Sequence, residues 1–267
     1  MEPAICTSIN YALPFDRVVP MIREAGFEVV SLGANPQHAD FTTPAGRKVI
    51  RQLLQGCRLT VDSVHAPFPE GDRLFALEES ERQESLRQCQ SALDAAVELE
   101  SPIVVIHLIQ PYGIPPGEKR EAMIERGRQS VGWLAEQAAR RGVKLALENG
   151  QERAYDEVLA SLLAEFAGES VGFCYDSGHE NVQGACFRLL EEFGHRLLTV
   201  HLHDNHGSDI HLLPYEGTIN WEEFQQVMRR LDYTGHLLLE VSMAHSQYQD
   251  PVVFLAEARA RAERLLG

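Results

Sequence analysis

Six side chains that can bind a metal stand at the ends of six successive short apolar runs. These are Thr60-Val-Asp-Ser-Val-His65, Ile103-Val-Val-Ile-His107, Lys144-Leu-Ala-Leu-Glu148, Val171-Gly-Phe-Cys-Tyr-Asp176, Leu198-Thr-Val-His201 and Leu237-Leu-Leu-Glu240. Singly, each is an ordinary polar residue closing a hydrophobic segment. If the runs are parallel strands, their ends meet, and three imidazoles with three carboxylates around one pocket make a coordination sphere. Glu148, Asp176, His201 and Glu240 form the central group. Three carboxylates and one imidazole give an oxygen-rich set suited to a divalent ion with open positions, Zn2+ or Mn2+ first, with Co2+ and Mg2+ also accommodated. Carboxylates gathered this closely call for a cation.

Further residues could enlarge this group. His65 and His107 could bind a second metal or a substrate hydroxyl, or simply line the pocket. His179 follows Asp176 by three residues, close enough for a turn to fold it over the site. The longest loop, residues 204–220, carries His206, Asp209, His211 and Glu216, and Asp209-Ile-His211 would place two ligand-type side chains on one side of an extended segment. The bland reading of that loop is a solvated polar connection. His203 has period-two spacing from His201 and could share its orientation, and Asp204 and Asn205 could shape the loop. His38, His195, His236 and His245 lack such context and read as structural.

Positioning six strand ends around one centre requires a particular architecture. Two earlier runs, Ala4-Ile-Cys-Thr-Ser8 and Val29-Val-Ser-Leu32, bring the strands to eight, all short and rich in Val, Ile and Leu, as in parallel strands covered on both faces. Helix-period stretches lie between them, including 86–98, 122–141, 221–231 and 251–266. Gly26, Gly142 and Gly235 stand just before strands and suit left-handed helix ends, and Asp250-Pro251 reads as a helix start. Eight strands alternating with eight helices imply a closed (β/α)8 barrel, with active residues at the C-terminal strand ends. No Pro/Gly/Ser-rich linker interrupts the alternation, so residues 1–267 read as one domain.

Composition narrows the class further. The formal charge of −15 offers nucleic acid or an anionic membrane no general attraction. Apart from histidines, the predicted strand-to-helix loops hold only Arg73 and Arg153 as cations, which also disfavours a phosphorylated substrate. Five cysteines without C-x-x-C spacing, no leader-like N-terminus and no membrane-length apolar run predict a reduced, cytoplasmic protein. There is no G-x-S-x-G elbow, P-loop or G-x-G-x-x-G fingerprint, so no nucleotide cofactor is expected. Cys174 reads as a small core residue, and Lys144 opens a strand at the wrong end of a barrel for Schiff-base chemistry. The chain leaves a homo-oligomer open.

Five motifs carry a family resemblance: Val64-His65-Ala66-Pro67-Phe68, Leu147-Glu148-Asn149, Asp176-Ser177-Gly178-His179, His201-Leu202-His203-Asp204-Asn205, and the run from His211 through Pro214-Tyr215-Glu216-Gly217 to Trp221. In this order they resemble the xylose-isomerase-like TIM-barrel superfamily. That group contains sugar and sugar-phosphate isomerases and epimerases, related dehydratases, and apurinic-site nucleases of the endonuclease IV type. In the isomerase and epimerase branch, the resemblance implies a metal on Glu148, Asp176, His201 and Glu240, with His179 near substrate. In the nuclease branch it implies three zincs on His65, His107, Glu148, Asp176, His179, His201, Asp209, His211 and Glu240. Two features depart from the nuclease: His107-Leu108-Ile109-Gln110-Pro111 replaces a Pro-Gly-Ser-like turn, and cations for a phosphate backbone are scarce. Tyr215 stands where the isomerase-like pattern often has glycine, which leaves the shape of that loop open.

The expected activity is therefore metal-dependent isomerisation or epimerisation of a small sugar or other polyhydroxylated carbonyl compound through a metal-stabilised enediolate. Glu148 and Glu240 would bind metal and exchange the proton as base and acid. The alternative is a three-zinc phosphodiesterase acting on abasic DNA, and a sugar-binding barrel without catalysis ranks last.

Overall fold

A computed structural model of the protein describes residues 1–108 and 112–267. Eight strands, β1 (Glu2–Cys6), β2 (Val29–Leu32), β3 (Thr60–His65), β4 (Ile103–Ile106), β5 (Lys144–Glu148), β6 (Val171–Asp176), β7 (Leu197–His201) and β8 (His236–Leu239), form one parallel sheet. Its order is β7-β6-β5-β4-β3-β2-β1-β8. The two ends meet at a parallel bridge between Leu202 and Leu239, where Leu202 N donates to Leu238 O and Glu240 N to Leu202 O. The sheet is thus rolled into the (β/α)8 barrel that the alternation implies.

Alternation along each strand decides which side chains face inward. On β4, Val104 and Ile106 join the large cluster under the helices, whereas Ile103 and Val105 pack with Ala146, Cys174 and Leu198 in a separate small cluster. On β8, Leu237 and Leu239 join the large cluster while Leu238 packs with Ala4 and Val29. Continuing the period of two, His107, Glu148, Asp176 and Glu240 fall on the inner face beyond Val105, Ala146, Cys174 and Leu238. Cys174 is fully buried in this inner layer, and burial pushes its thiol up, as befits an inert core residue.

Nine α-helices occur among the described residues: α1 (Phe15–Glu24), α2 (Pro44–Cys57), α3 (Glu79–Glu98), α4 (Glu118–Arg141), α5 (Arg153–Glu165), α6 (Ser177–Val182), α7 (Arg188–Phe193), α8 (Trp221–Leu231) and α9 (Pro251–Leu266). The ninth arises because the β6-to-β7 connection is split at Gly184 (φ 72°) into α6 and α7. Helix ends mostly follow the sequence signals. Gly142 caps α4 at φ 70°, Gly26 follows α1 at φ 92°, and Asp250 caps α9 by accepting from Val252 N and Val253 N. Gly235 is different. Asp232 takes the left-handed position after α8 at φ 51°, which a short polar side chain tolerates, and Gly235 instead makes room for the Tyr233 ring.

Candidate metal and substrate site

Six inward strand ends, the start of α6 and the long loop after β7 bring nine predicted residues into one cluster. Glu148 lies at its centre, fully buried. Its Oε1 is 3.0 Å from His201 Nδ1, and its Oε2 is 3.3 Å from both His65 Nε2 and His107 Nε2, which are themselves 3.2 Å apart. Glu240 Oε2 approaches His201 Nδ1 from the other side at 3.3 Å. His179 Nδ1 is 3.7 Å from Asp176 Oδ1, and its Nε2 is 3.5 Å from Asp209 Oδ2. Asp209 Oδ1 in turn lies 3.3 Å from His211 Nε2. Ligand-type atoms of Glu148, Asp176, His201 and Glu240 lie within 4.8 Å of one another, and so do those of His65, Glu148 and His201.

Three of the histidines are held in the manner of metal ligands. His65 Nδ1 donates to Ala66 O at 2.7 Å, His179 Nδ1 to Asn149 O at 2.9 Å, and His211 Nδ1 to Glu240 O at 2.8 Å. Each bond fixes the tautomer and turns Nε2 toward a carboxylate. A neutral Nε2 presents a lone pair to that carboxylate, so something positive must stand between them. Without a metal, a proton fills this role at His179 and His211. Burial pushes His107 down, yet Glu148 and Asp72 raise it to about 10. Burial likewise opposes charge on His211, which Asp209 and Glu240 bring up to about 9. Burial would lift the Glu148 carboxyl, but His201 and His107 hold it well below the usual carboxylate range. Buried Glu148 Oε2 and Asp209 Oδ1 nevertheless have no hydrogen-bond partner. Anchored imidazoles, orphaned carboxylate oxygens and an anionic centre together fit a divalent cation.

The structure adds a residue that sequence spacing only hinted at. His203 is fully buried, and its Nε2 lies 3.1 Å from the Asp176 carboxylate. Its ring stacks on His211 with centroids 4.0 Å apart. Gly178 makes this possible, because a Cβ there would sit 1.9 Å from His203 Cε1. Asp176 also caps α6, its Oδ1 accepting from His179 N at 2.6 Å, so one carboxylate orients both histidines.

Asp204 builds the long loop. Its buried carboxylate accepts from Asn205 N, Tyr215 N, Ile219 N and Trp221 Nε1, which fixes the segment carrying Asp209 and His211. Tyr215 adopts φ 70°, the left-handed conformation that a glycine would take freely, and Arg264 lies over its ring at 3.8 Å. His211 is also left-handed at φ 49°, held by Ser242 N donating to its carbonyl at 2.8 Å. Two residues of this loop stand apart from the cluster. His206 is exposed, and Glu216 accepts from Leu213 N and Ser246 Oγ. His236 is structural as expected, pairing with Asp62 at 2.7 Å near the N-terminal end of the barrel. The departure at 109–111 lies outside the described residues.

A cavity of about 360 Å³ opens over the cluster, walled by Glu240, His65, His107, His179, Asp209 and His211 together with Tyr11, Phe68, Tyr112 and Tyr155. Glu240 therefore faces the cavity, whereas Glu148 lies one layer deeper. Among the described residues no Lys or Arg lines it.

Such a barrel, with carboxylates and imidazoles converging at the C-terminal strand ends, defines a (β/α)8 protein with a candidate cation site at its centre. The chain belongs to the xylose isomerase-like TIM barrel family, whose profile matches residues 19–261. It is 27% identical over 247 residues to an uncharacterized protein of Sinorhizobium fredii, covering 84% of this chain and 79% of that one. It is 26% identical over 230 residues to an uncharacterized protein of Methanocaldococcus jannaschii, covering 82% and 76%. Similar solved structures include a D-tagatose 3-epimerase-like protein (TM-score 0.82, 22% identity, covering 100% of this chain and 98% of that one). Another is the 3-keto-D-glucoside 4-epimerase of E. coli (TM-score 0.77, 18% identity, 93% and 94%). No helix among the described residues is long and apolar enough to cross a membrane.

Proposed function

We propose that the protein is a metal-dependent isomerase or epimerase of a small polyhydroxylated carbonyl compound. The observation that carries this reading is the pair Glu148 and Glu240, from the ends of β5 and β8, closing on the same His201 nitrogen at 3.0 and 3.3 Å beneath a cavity that, among the described residues, no Lys or Arg lines. Glu148, Asp176, His201 and Glu240 would hold the ion. When bound, it supplies positive charge to a carbonyl and a neighbouring hydroxyl oxygen and so acidifies the adjacent C–H. Glu240, at the cavity wall, would take the proton from that carbon. Glu148, whose Oε2 has no hydrogen-bond partner, would exchange it on the other side. His179 and His211 would orient substrate hydroxyls, and Tyr112, Tyr155 and Phe68 would exclude water. Similarity to a D-tagatose 3-epimerase-like protein and to the 3-keto-D-glucoside 4-epimerase supports this choice of reaction.

Glu148→Gln and Glu240→Gln should each cut solvent-deuterium incorporation into a keto-sugar by ~10²–10⁴-fold while leaving the fold intact. Full exchange in either variant would sink the assignment. A second reading, a three-zinc phosphodiesterase, is favoured by the three anchored imidazoles outside the four-ligand group and disfavoured by a wall that, among the described residues, has no Lys or Arg. Elemental analysis of protein purified without chelators decides between them: about one tightly held divalent ion per chain is expected, and about three zincs would put abasic-DNA cleavage first.

A further inference from the structure

The reactive cavity continues beyond the ligand cluster. A second cavity, of about 420 Å³, lies beside it, lined by Asn35, Gln37, Thr42, Glu70 and Gln88, and the two share Tyr11, Ala34 and Phe68. The shared rings are unusually open, Tyr11 51% and Phe68 49% exposed. Both are braced by histidines. Phe68 stands edge-on to His107 at 5.6 Å, and Tyr11 edge-on to His38 at 5.3 Å. His38 is itself pinned, its Nε2 donating to Leu13 O at 2.9 Å.

This wall has a definite chemistry. A pyranose ring offers an apolar face of C–H groups and a rim of hydroxyls. The outer cavity offers two aromatic rings on its shared wall, and amide, hydroxyl and carboxylate groups on the rest. Among the described residues neither cavity is lined by Lys or Arg, and the charged group of the outer one, Glu70, is an anion. A phosphate or carboxylate at that end would meet repulsion instead of a partner. Each cavity alone is at the small end of ligand clefts, which span ~300–1,000 Å³, so a single sugar would fill only the inner one.

We propose that the substrate is a neutral saccharide of two joined units: a keto-sugar that reacts beside Glu240, and a second sugar ring seated in the outer cavity against Tyr11 and Phe68. The inference rests on the proposed reaction for the first unit and on the shared wall for the second. Binding of the remote ring can be spent on orienting the reacting unit, so its presence should raise kcat/KM.

The test uses the metal-loaded full chain and two ketoses, D-fructose and the glucosyl-fructose isomaltulose. The ratio of their kcat/KM values for solvent-deuterium incorporation should be ~10 or more in favour of isomaltulose, and Gln88→Trp, which fills the outer cavity, should bring that ratio toward one. Thr42→Ala, a smaller change at the same wall, should lower it partially. A wild-type ratio near one, or a Gln88→Trp ratio equal to the wild-type value, overturns the proposal. If neither ketose exchanges deuterium, the proposed reaction fails, and the outer subsite is judged by saturation-transfer NMR with isomaltulose. Saturation on both rings, lost from the glucosyl ring in Gln88→Trp, supports it; a glucosyl ring without saturation in the wild-type protein overturns it.

Discussion

Gly178→Ala is a one-methyl change that should damage the site through His203, a residue at the next strand end in sequence. The added Cβ would lie 1.9 Å from His203 Cε1 and 2.3 Å from its Nδ1, against an ordinary contact of 3.4 Å or more. The ring must retreat by about 1.5 Å. It cannot do so freely, because His211 stacks on it at 4.0 Å and its Nε2 is 3.1 Å from Asp176. Overpacking of this kind costs ~1–3 kcal/mol, while the gain in helix propensity from Gly to Ala returns up to ~1 kcal/mol. The net expectation is a loss of ~1–2 kcal/mol in urea unfolding, with metal affinity down ~10–100-fold because Asp176 and His211 lose their support. The decisive control is the same change in a His203→Ala background. With the ring gone, Gly178→Ala should be neutral or stabilising by up to ~1 kcal/mol, so the effect changes sign across the cycle. Equal destabilisation in both backgrounds, or wild-type zinc affinity in competition with a chromophoric chelator, would refute the reasoning.

Three further outcomes follow from the same geometry. In chelator-treated protein, His107 is raised to about 10 and His211 to about 9, so their contribution is fully present below the ordinary imidazole pKa near ~6.5 and lost as pH rises through the raised values. Urea midpoints of the chelated protein should therefore fall between about pH 7 and about pH 10, and a rising midpoint would contradict this. Adding a divalent ion at 100 times its dissociation constant should stabilise the chelated protein by ~2.7 kcal/mol and release protons, so the heat of binding should depend on buffer ionisation enthalpy. Asp204→Ala removes the acceptor for four N–H groups and should cost about 3 kcal/mol in urea unfolding while freeing the loop that carries Asp209 and His211. An unchanged midpoint would mean that the loop is held elsewhere.

Residues at strand ends were legible because two periodicities suffice to place them: apolar runs mark the strands, and alternation of two sets the inward face. Helices 221–231 and 251–266 were legible in full from their periodicity, the second also from its Asp250-Pro251 start, and the structure adds an Asn220 cap to the first. What the sequence concealed depends on approach in three dimensions. Nothing local distinguishes Gly178 from any glycine near a helix start until the His203 ring is placed against it. The left-handed cap of α8 went to Asp232 and not Gly235, because both tolerate that conformation and packing of Tyr233 decided between them. The outer cavity draws Asn35, Gln37 and Thr42 from the β2-to-α2 loop and Gln88 from α3, two segments that carry no ligand-type pattern. The depth difference between Glu148 and Glu240 was equally hidden, since both close apolar strands in the same way.

That difference in depth explains how one site can serve both stability and chemistry. Glu148 and Asp176 are fully buried, and a buried carboxylate without a partner costs several kcal/mol. The fold offsets this cost with His107, His179 and His211, whose pKa values the carboxylates raise, so that they hold protons when no cation is present and release them when one binds. Glu240 and His211, at the cavity wall, keep partial exposure and so stay reachable by a ligand. The buried carboxylates set the demand for a cation, and the exposed ones supply contact with substrate. Neutralising Glu148 should therefore weaken metal binding and slow exchange together. Neutralising Glu240 should slow exchange more than it weakens metal binding, a split that metal titration and deuterium exchange measure on the same pair of variants.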